Sequence, residues 1–132
     1  MTTTTRTPQP SSLTFRYPRG SLVQIKLDGQ GREPGGDRLR YAVVVSSNTV
    51  NAGDRIAVVV PVRPLRGRKP YMYEVLLPNG SYGLTEDHVA VPPQVRSVDV
   101  KKRIIGDVIA TLESSVMAQL GLGRRSPERW GN

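Results

Sequence analysis

Residues 41–62 read YAVVVS-SNTVNAGDR-IAVVVPV, and this stretch decides the fold. Tyr41–Ser46 and Ile56–Val62 are short runs dominated by β-branched side chains, whose stiff χ1 torsions suit a pleated sheet better than a helix. Successive valines leave neither run a polar face, so both read as central strands covered on each side. Ser47 to Arg55 (SNTVNAGDR) supplies the turn residues that join them. Pro61 falls late in the second run, where one missing ladder donor is tolerated.

Working outward, Val23, Ile25 and Leu27 alternate with Gln24 and Lys26, the period of a half-buried strand beginning at Ser21. Asp28 to Arg38 (DGQGREPGGDR) carries four glycines and a proline, a long flexible connection of the kind that is functional or disordered. On the other side, Arg63 to Pro70 (RPLRGRKP) is a basic loop, Met72 to Leu77 a further strand, and Pro78-Asn79-Gly80 a turn. His88 to Val91 and Val95 to Val100 read as short strands. Asp107 to Leu120 has helical periodicity: Val108, Ile109, Leu112, Val116, Met117 and Leu120 share one face. Asp107 suits its N-cap, and Gly121 or Gly123 its end. Short strands followed by one helix predict a mainly β (α+β) fold, a bent sheet or small barrel with a C-terminal helix.

The chain has 132 residues, enough for one domain with a modest core. Residues 1–18, rich in Thr, Ser and Pro, read as a disordered arm, 19–122 as the folded domain, and 123–132 as a basic tail. No apolar run suggests a signal peptide or membrane span, so a soluble, cytoplasmic protein is expected. The absence of cysteine excludes disulfides and thiolate metal sites, and the lone histidine, His88, cannot build a His-rich zinc site. No suitably spaced Asp/Glu cluster invites a hard cation, so no metal and no cofactor is expected. Nineteen Lys/Arg against eleven Asp/Glu give a net charge of +8. That excess suggests a polyanionic partner, since neutralised phosphates release counterions. It does not choose between RNA, DNA and an acidic protein.

Several segments in this order resemble the MazF/PemK family of toxin endoribonucleases. Pro18-Arg19-Gly20 and the strand ending Leu27-Asp28 are similar to an opening "RGDIVWVDLDP". Arg40-Tyr41-Ala42-Val43-Val44-Val45-Ser46 resembles "RPALVVS", and Asn51 falls where the family commonly has Asn. Val58 to Val62 resembles "VVVPIT", and Tyr71 to Leu77 resembles "YPFEVxL". Gly83-Leu84 matches a "GL" step, Gln94 to Asp99 matches "QIRSID", and Ile105-Gly106 the "IG" before the last helix. The resemblance spans Pro18 to Leu122. It implies an SH3-like β-barrel with a C-terminal helix, a homodimer, cleavage of single-stranded RNA, and inhibition by a small acidic antitoxin. The gyrase poison CcdB is similar in fold, so fold alone does not fix the target.

Metal-free RNA cleavage needs a base for the 2′-OH, an acid for the leaving 5′-oxygen, and positive charge at the phosphorane. Guanidinium groups suit the last role because they contact two phosphate oxygens at once. By resemblance, Arg40 stands at the scissile phosphate; otherwise it is a solvated loop arginine near Asp37. The family's threonine after "VVPI/V" is replaced by Arg63, which offers charge but not a hydroxyl and is a poor base. The Arg-x-Asp of PemK-like members is replaced by Val91-Pro92-Pro93. Glu33 on the flexible loop and His88, the side chain whose ordinary pKa lies nearest neutrality, are the proton-transfer candidates. Their alternatives are a solvated carboxylate and a packed histidine. Arg66, Arg68, Lys69 and Arg38 are expected to bind RNA phosphates, or else to be solvated or to meet an antitoxin. Gln94, Arg96 and Asp99 read first as structural, with Arg96 and Asp99 as a possible pair. Tyr71 and Tyr73 are of the type that stacks on bases, but alternation with Met72 on a strand assigns one face to the core. Two other functions stay open: a degenerate relative that only binds RNA or antitoxin, and a CcdB-like topoisomerase inhibitor.

Overall fold

The computed structural model describes residues 16–27 and 38–121. The two valine-rich runs become β2 (Arg38–Val44) and β3 (Ile56–Pro64), paired antiparallel with Tyr41 opposite Val62 and Val44 opposite Val59. On the outer side of β2 lies β1 (Ser21–Leu27), as its alternation predicted, with Ile25 opposite Arg40. β3 is the longest of these strands, and it carries two further neighbours on its far side. Its C-terminal half pairs with β5 (His88–Ala90), which pairs in turn with β4 (Val75–Leu77). Its N-terminal half pairs with β6 (Arg96–Asp99). Among the described residues the order is β4-β5-β3-β2-β1-β7, where β7 is Ile104–Thr111, with β6 beside β3. The expected mainly β class is what forms.

Valine repetition fills both faces of this sheet. Leu22, Val43, Val45, Val60 and Val62 join one buried cluster, while Val23, Ile25, Ala42, Val44, Ala57 and Val59 join another. The alternation of side chains across a strand makes this partition unavoidable. Each fully buried Val or Leu contributes about 1.5–3 kcal/mol of transfer free energy. Tyr17 belongs to the second cluster, and its hydroxyl donates to the Gly106 carbonyl at 2.5 Å. Tyr17 thus packs on the sheet although it lies in the segment read as an arm.

The connection between β2 and β3 contains one helical turn, α1 (Asn48–Asn51), with Ser47 Oγ accepting from the Val50 amide at its N-cap. Asn51, its last residue, is buried. Ser46 Oγ donates to Asn51 Oδ1 at 2.5 Å and accepts from the Val58 amide at 3.1 Å, while Asn51 Nδ2 donates to the Ser46 carbonyl at 3.1 Å. A buried amide is tolerable because it closes these bonds.

Two expectations fail in instructive ways. Ile104–Thr111 is strand β7, which pairs with β1 (Ile104 opposite Ile25, Thr111 opposite Ser21), so Asp107 caps nothing. Only Ser114–Gln119 is helical (α3), after a connection through Leu112 and Glu113. The β-branched Ile104, Ile105, Val108, Ile109 and Thr111 suit a strand, and the open edge of β1 satisfies their main chain. Ile109, expected in the apolar face, is exposed, whereas Leu112, Met117 and Leu120 do reach the first cluster. Gly121, at φ +72°, ends the helix; Gly123 lies outside the described residues. The second failure is Met72 to Leu77, where only Val75–Leu77 is strand and Tyr71–Glu74 form a turn closed by the Glu74 amide on the Tyr71 carbonyl at 2.9 Å. A four-residue helix, α2 (Val100–Arg103), separates β6 from β7, and Asp99 Oδ1 caps it by accepting from the Lys102 amide at 3.0 Å. Asp99 is spent on that cap, and no ion pair with Arg96 forms. Among the described residues, no helix is long and apolar enough to cross a membrane.

Candidate active groove

Arg40 and Arg63 each stand next to the cross-strand pair Tyr41–Val62, one on β2 and one on β3. Because Val62 and Tyr41 turn toward the first core cluster, alternation sends Arg40 and Arg63 together to the opposite face. There they line an open groove of about 340 Å³ with Pro64, Leu65, Arg66 and Arg68. Its floor is set by Leu65, which packs with Val89 and Val91 in a small buried cluster, and whose amide donates to the Asp87 carbonyl at 3.0 Å. Arg66 (φ +54°) and Gly67 (φ +81°) turn the chain after β3. Arg40 from β2 and Arg63, Arg66 and Arg68 from the end of β3 and the loop after it thus line one groove.

They are not equivalent. Arg63 Nη2 donates to Gln94 Oε1 at 2.9 Å, which orients the fork without neutralising it. Arg68 makes two parallel bonds to Glu74, Nη1 to Oε1 at 2.9 Å and Nη2 to Oε2 at 3.0 Å, and its Nη1 also donates to the Lys69 carbonyl. The Tyr71 amide adds a third donor to Glu74, at 2.8 Å. The Arg68 bonds first, then the Tyr71 amide, hold the Glu74 carboxyl below its ordinary range, against the opposing effect of burial. The same bonds hold the Arg68 guanidinium above its ordinary value. The charge of Arg68 is therefore balanced locally, and the basic loop has an acid after all, supplied from beyond its end.

The remaining expected site residues are more scattered. Lys69 is exposed and outside the groove lining. Glu33 and the Arg38 side chain lie outside the described residues; the Arg38 backbone opens β2. His88 is 5 % exposed and does not line the groove. Its ring stands edge-on to Tyr41, with centroids 5.4 Å apart, and Nδ1 lies 2.9 Å from the Glu86 carbonyl oxygen. A carbonyl only accepts, so Nδ1 carries the proton. His88 is thus buried and stands apart from the residues that line the groove. Gln94 and Glu74 were missed as site residues because each acts on an arginine remote from itself in sequence or outside its own loop. A second hollow of about 210 Å³ is lined by Lys26, Arg96 and Arg103 together with Asp99. Among the described residues no three His, Asp or Glu converge as metal ligands.

Fold and groove define a class: a small antiparallel β-domain with guanidinium groups gathered at the end of its central strands. Residues 18–122 match the model of the PemK-like, MazF-like toxins of type II toxin-antitoxin systems, and the chain belongs to that family. Its fold is similar to that in the crystal structure of MazE-MazF from Deinococcus radiodurans, with 24% identity and TM-score 0.61 over 80% of this chain and 90% of that one. It is equally similar to MazF of the same organism, with 23% identity and TM-score 0.61 over 81% and 91%. No curated protein matches the chain in sequence.

Proposed function

We propose that this family member is an endoribonuclease toxin that cleaves single-stranded RNA in the arginine groove without a metal ion. The observation that carries the reading is the placement of Arg40 and Arg63 on one face of adjacent strands, lining one groove with Arg66. In the reaction the 2′-oxygen bonds to phosphorus as the P–O5′ bond breaks. The 2′-hydroxyl loses its proton and the 5′-oxygen gains one, leaving a 2′,3′-cyclic phosphate and a 5′-hydroxyl. The pentacoordinate phosphorus carries extra negative charge, which fixed guanidinium forks stabilise more strongly than they stabilise the ground state. Arg40 and Arg63 serve this role, Arg66 binds a neighbouring phosphate, and Lys69 and Arg38 add backbone contacts. Arg68 supports the loop through Glu74. Glu33 is the candidate base.

The toxin acts in the cytoplasm as a homodimer, and a small acidic antitoxin neutralises it by covering the basic groove. Family membership supports this, and so does the net charge of +8. A second reading, a relative that binds RNA without cutting it, is motivated by Arg63, which stands where the family's hydroxyl-bearing threonine is expected. The test is incubation of the purified, antitoxin-free protein with a long single-stranded RNA in EDTA. Discrete fragments ending in cyclic phosphate support the enzyme; intact RNA with a gel shift supports the binding reading.

A further inference from the structure

Beside the groove stands a feature that the cleavage reading does not use. Tyr71, Met72 and Tyr73 are 55%, 97% and 50% exposed, an unusual outlay of apolar surface for three consecutive residues. Yet the segment is braced. The tyrosine rings stack on each other, 5.6 Å between centroids and 24° from parallel. Arg68 lies against Tyr71, its Cζ 4.7 Å from the ring centroid, and Glu74 holds both the Arg68 fork and the Tyr71 amide. Arg68 also lines the groove. One guanidinium-bearing residue thus joins the groove to the aromatic surface.

We propose that Tyr71–Tyr73 is a stacking shelf for a nucleobase of the single strand whose phosphates occupy the arginine groove. Every base has a π-face, and single-strand binders pair a cationic track with aromatic side chains for that reason. The braced loop has already lost the freedom that stacking would otherwise cost, so the shelf is preorganised. A protein partner would also cover apolar surface, but the continuity through Arg68 places this surface where the bases of a groove-bound strand emerge. The inference rests on the RNA reading of the groove.

The test uses the full chain and short 2′-O-methyl oligomers of A, C or U, which have no free 2′-hydroxyl and so cannot be cut, beside an abasic oligomer of equal length. Y71A/Y73A is expected to weaken binding of the base-bearing oligomers about 5- to 100-fold. The salt dependence stays unchanged, because no phosphate contact is lost. Tyr73→Trp restores or improves affinity, and the abasic oligomer binds wild type and variant alike. Equal affinity of wild type and Y71A/Y73A for base-bearing oligomers overturns the shelf while leaving the groove reading intact. An equal loss on the abasic oligomer also overturns it, since the loop then only props Arg68. Loss of binding to an acidic peptide with oligomer affinity unchanged assigns the surface to a protein partner instead. Failure of the wild type to bind any oligomer removes the shelf and the RNA reading together.

Discussion

Arg63 on β3 and Gln94, thirty-one residues later, are joined by a 2.9 Å hydrogen bond from Nη2 to Oε1. Gln94 belongs to the 3-10 turn Pro92–Gln94, held between β5 and β6, both of which pair with β3. The side chain that positions Arg63 is thus fixed to the strand that carries it. Gln94→Ala should lower cleavage about 3- to 10-fold through a freer Arg63 and leave the thermal midpoint within a degree or two, because both groups are exposed. Unchanged turnover in a single-turnover assay would separate Gln94 from the chemistry.

Arg40→Ala tests the guanidinium on the neighbouring strand. Loss of one preformed donor at a developing oxyanion costs about 10²–10³ in rate. The expected signature is that loss with RNA affinity reduced only slightly. A variant that binds tenfold more weakly but cuts at the wild-type rate when saturated would make Arg40 a binding residue.

Arg66 and Arg68 should separate in a salt titration. Arg66→Ala is expected to lower the slope of log K against log salt by about one, the mark of a lost phosphate contact. Arg68, whose charge is matched by Glu74 at 2.9 Å, should change the slope far less. Equal effects would mean that RNA opens the Arg68–Glu74 pair.

Acid should loosen the Tyr71–Glu74 turn late. The folded Glu74 carboxyl is held below its ordinary 4.5 by Arg68, so the turn is fully stabilised above that value and loses this stabilisation as pH falls through the lower, folded value. Tyrosine signals of Tyr71 and Tyr73 should therefore stay constant from neutrality down to about pH 4.5 and change below it. Glu74→Gln should abolish that transition. A change centred near neutrality would contradict the assignment.

Asn51→Ala should destabilise the domain by about 1–3 kcal/mol, because it leaves the buried Ser46 hydroxyl and carbonyl short of partners. Denaturant unfolding measures this directly, and a loss below half a kcal/mol would show that water replaces the amide.

Much of the fold is legible in the sequence. The paired runs of Val43–Val45 and Val58–Val60 could be nothing but central strands, and the alternation of Val23 and Ile25 with Gln24 and Lys26 announced β1. Arg40 and Arg63 were readable as candidates through the family resemblance, which aligns one with the family's arginine and the other with its threonine. The stretch 107–111, expected as the start of a helix, is strand instead. Its apolar spacing fits a helix as well as it fits a strand, and its fate depended on an unfilled edge of β1 more than eighty residues earlier. Tyr71 and Tyr73 were misread for the same reason: alternation suggested a strand, but Glu74 turned back to Arg68 and left both rings in solvent.

By itself the sequence determined the central strands, where the positive charge is concentrated, and which family the chain resembles, since propensity, periodicity and composition are properties of neighbouring residues. Only the tertiary structure decided that His88 is enclosed, that Gln94 steadies Arg63, and that Glu74 claims Arg68 among the groove's guanidinium groups. Those outcomes follow from hydrogen bonds and burial between groups distant along the chain, whose energies exist only once the strands have set them side by side.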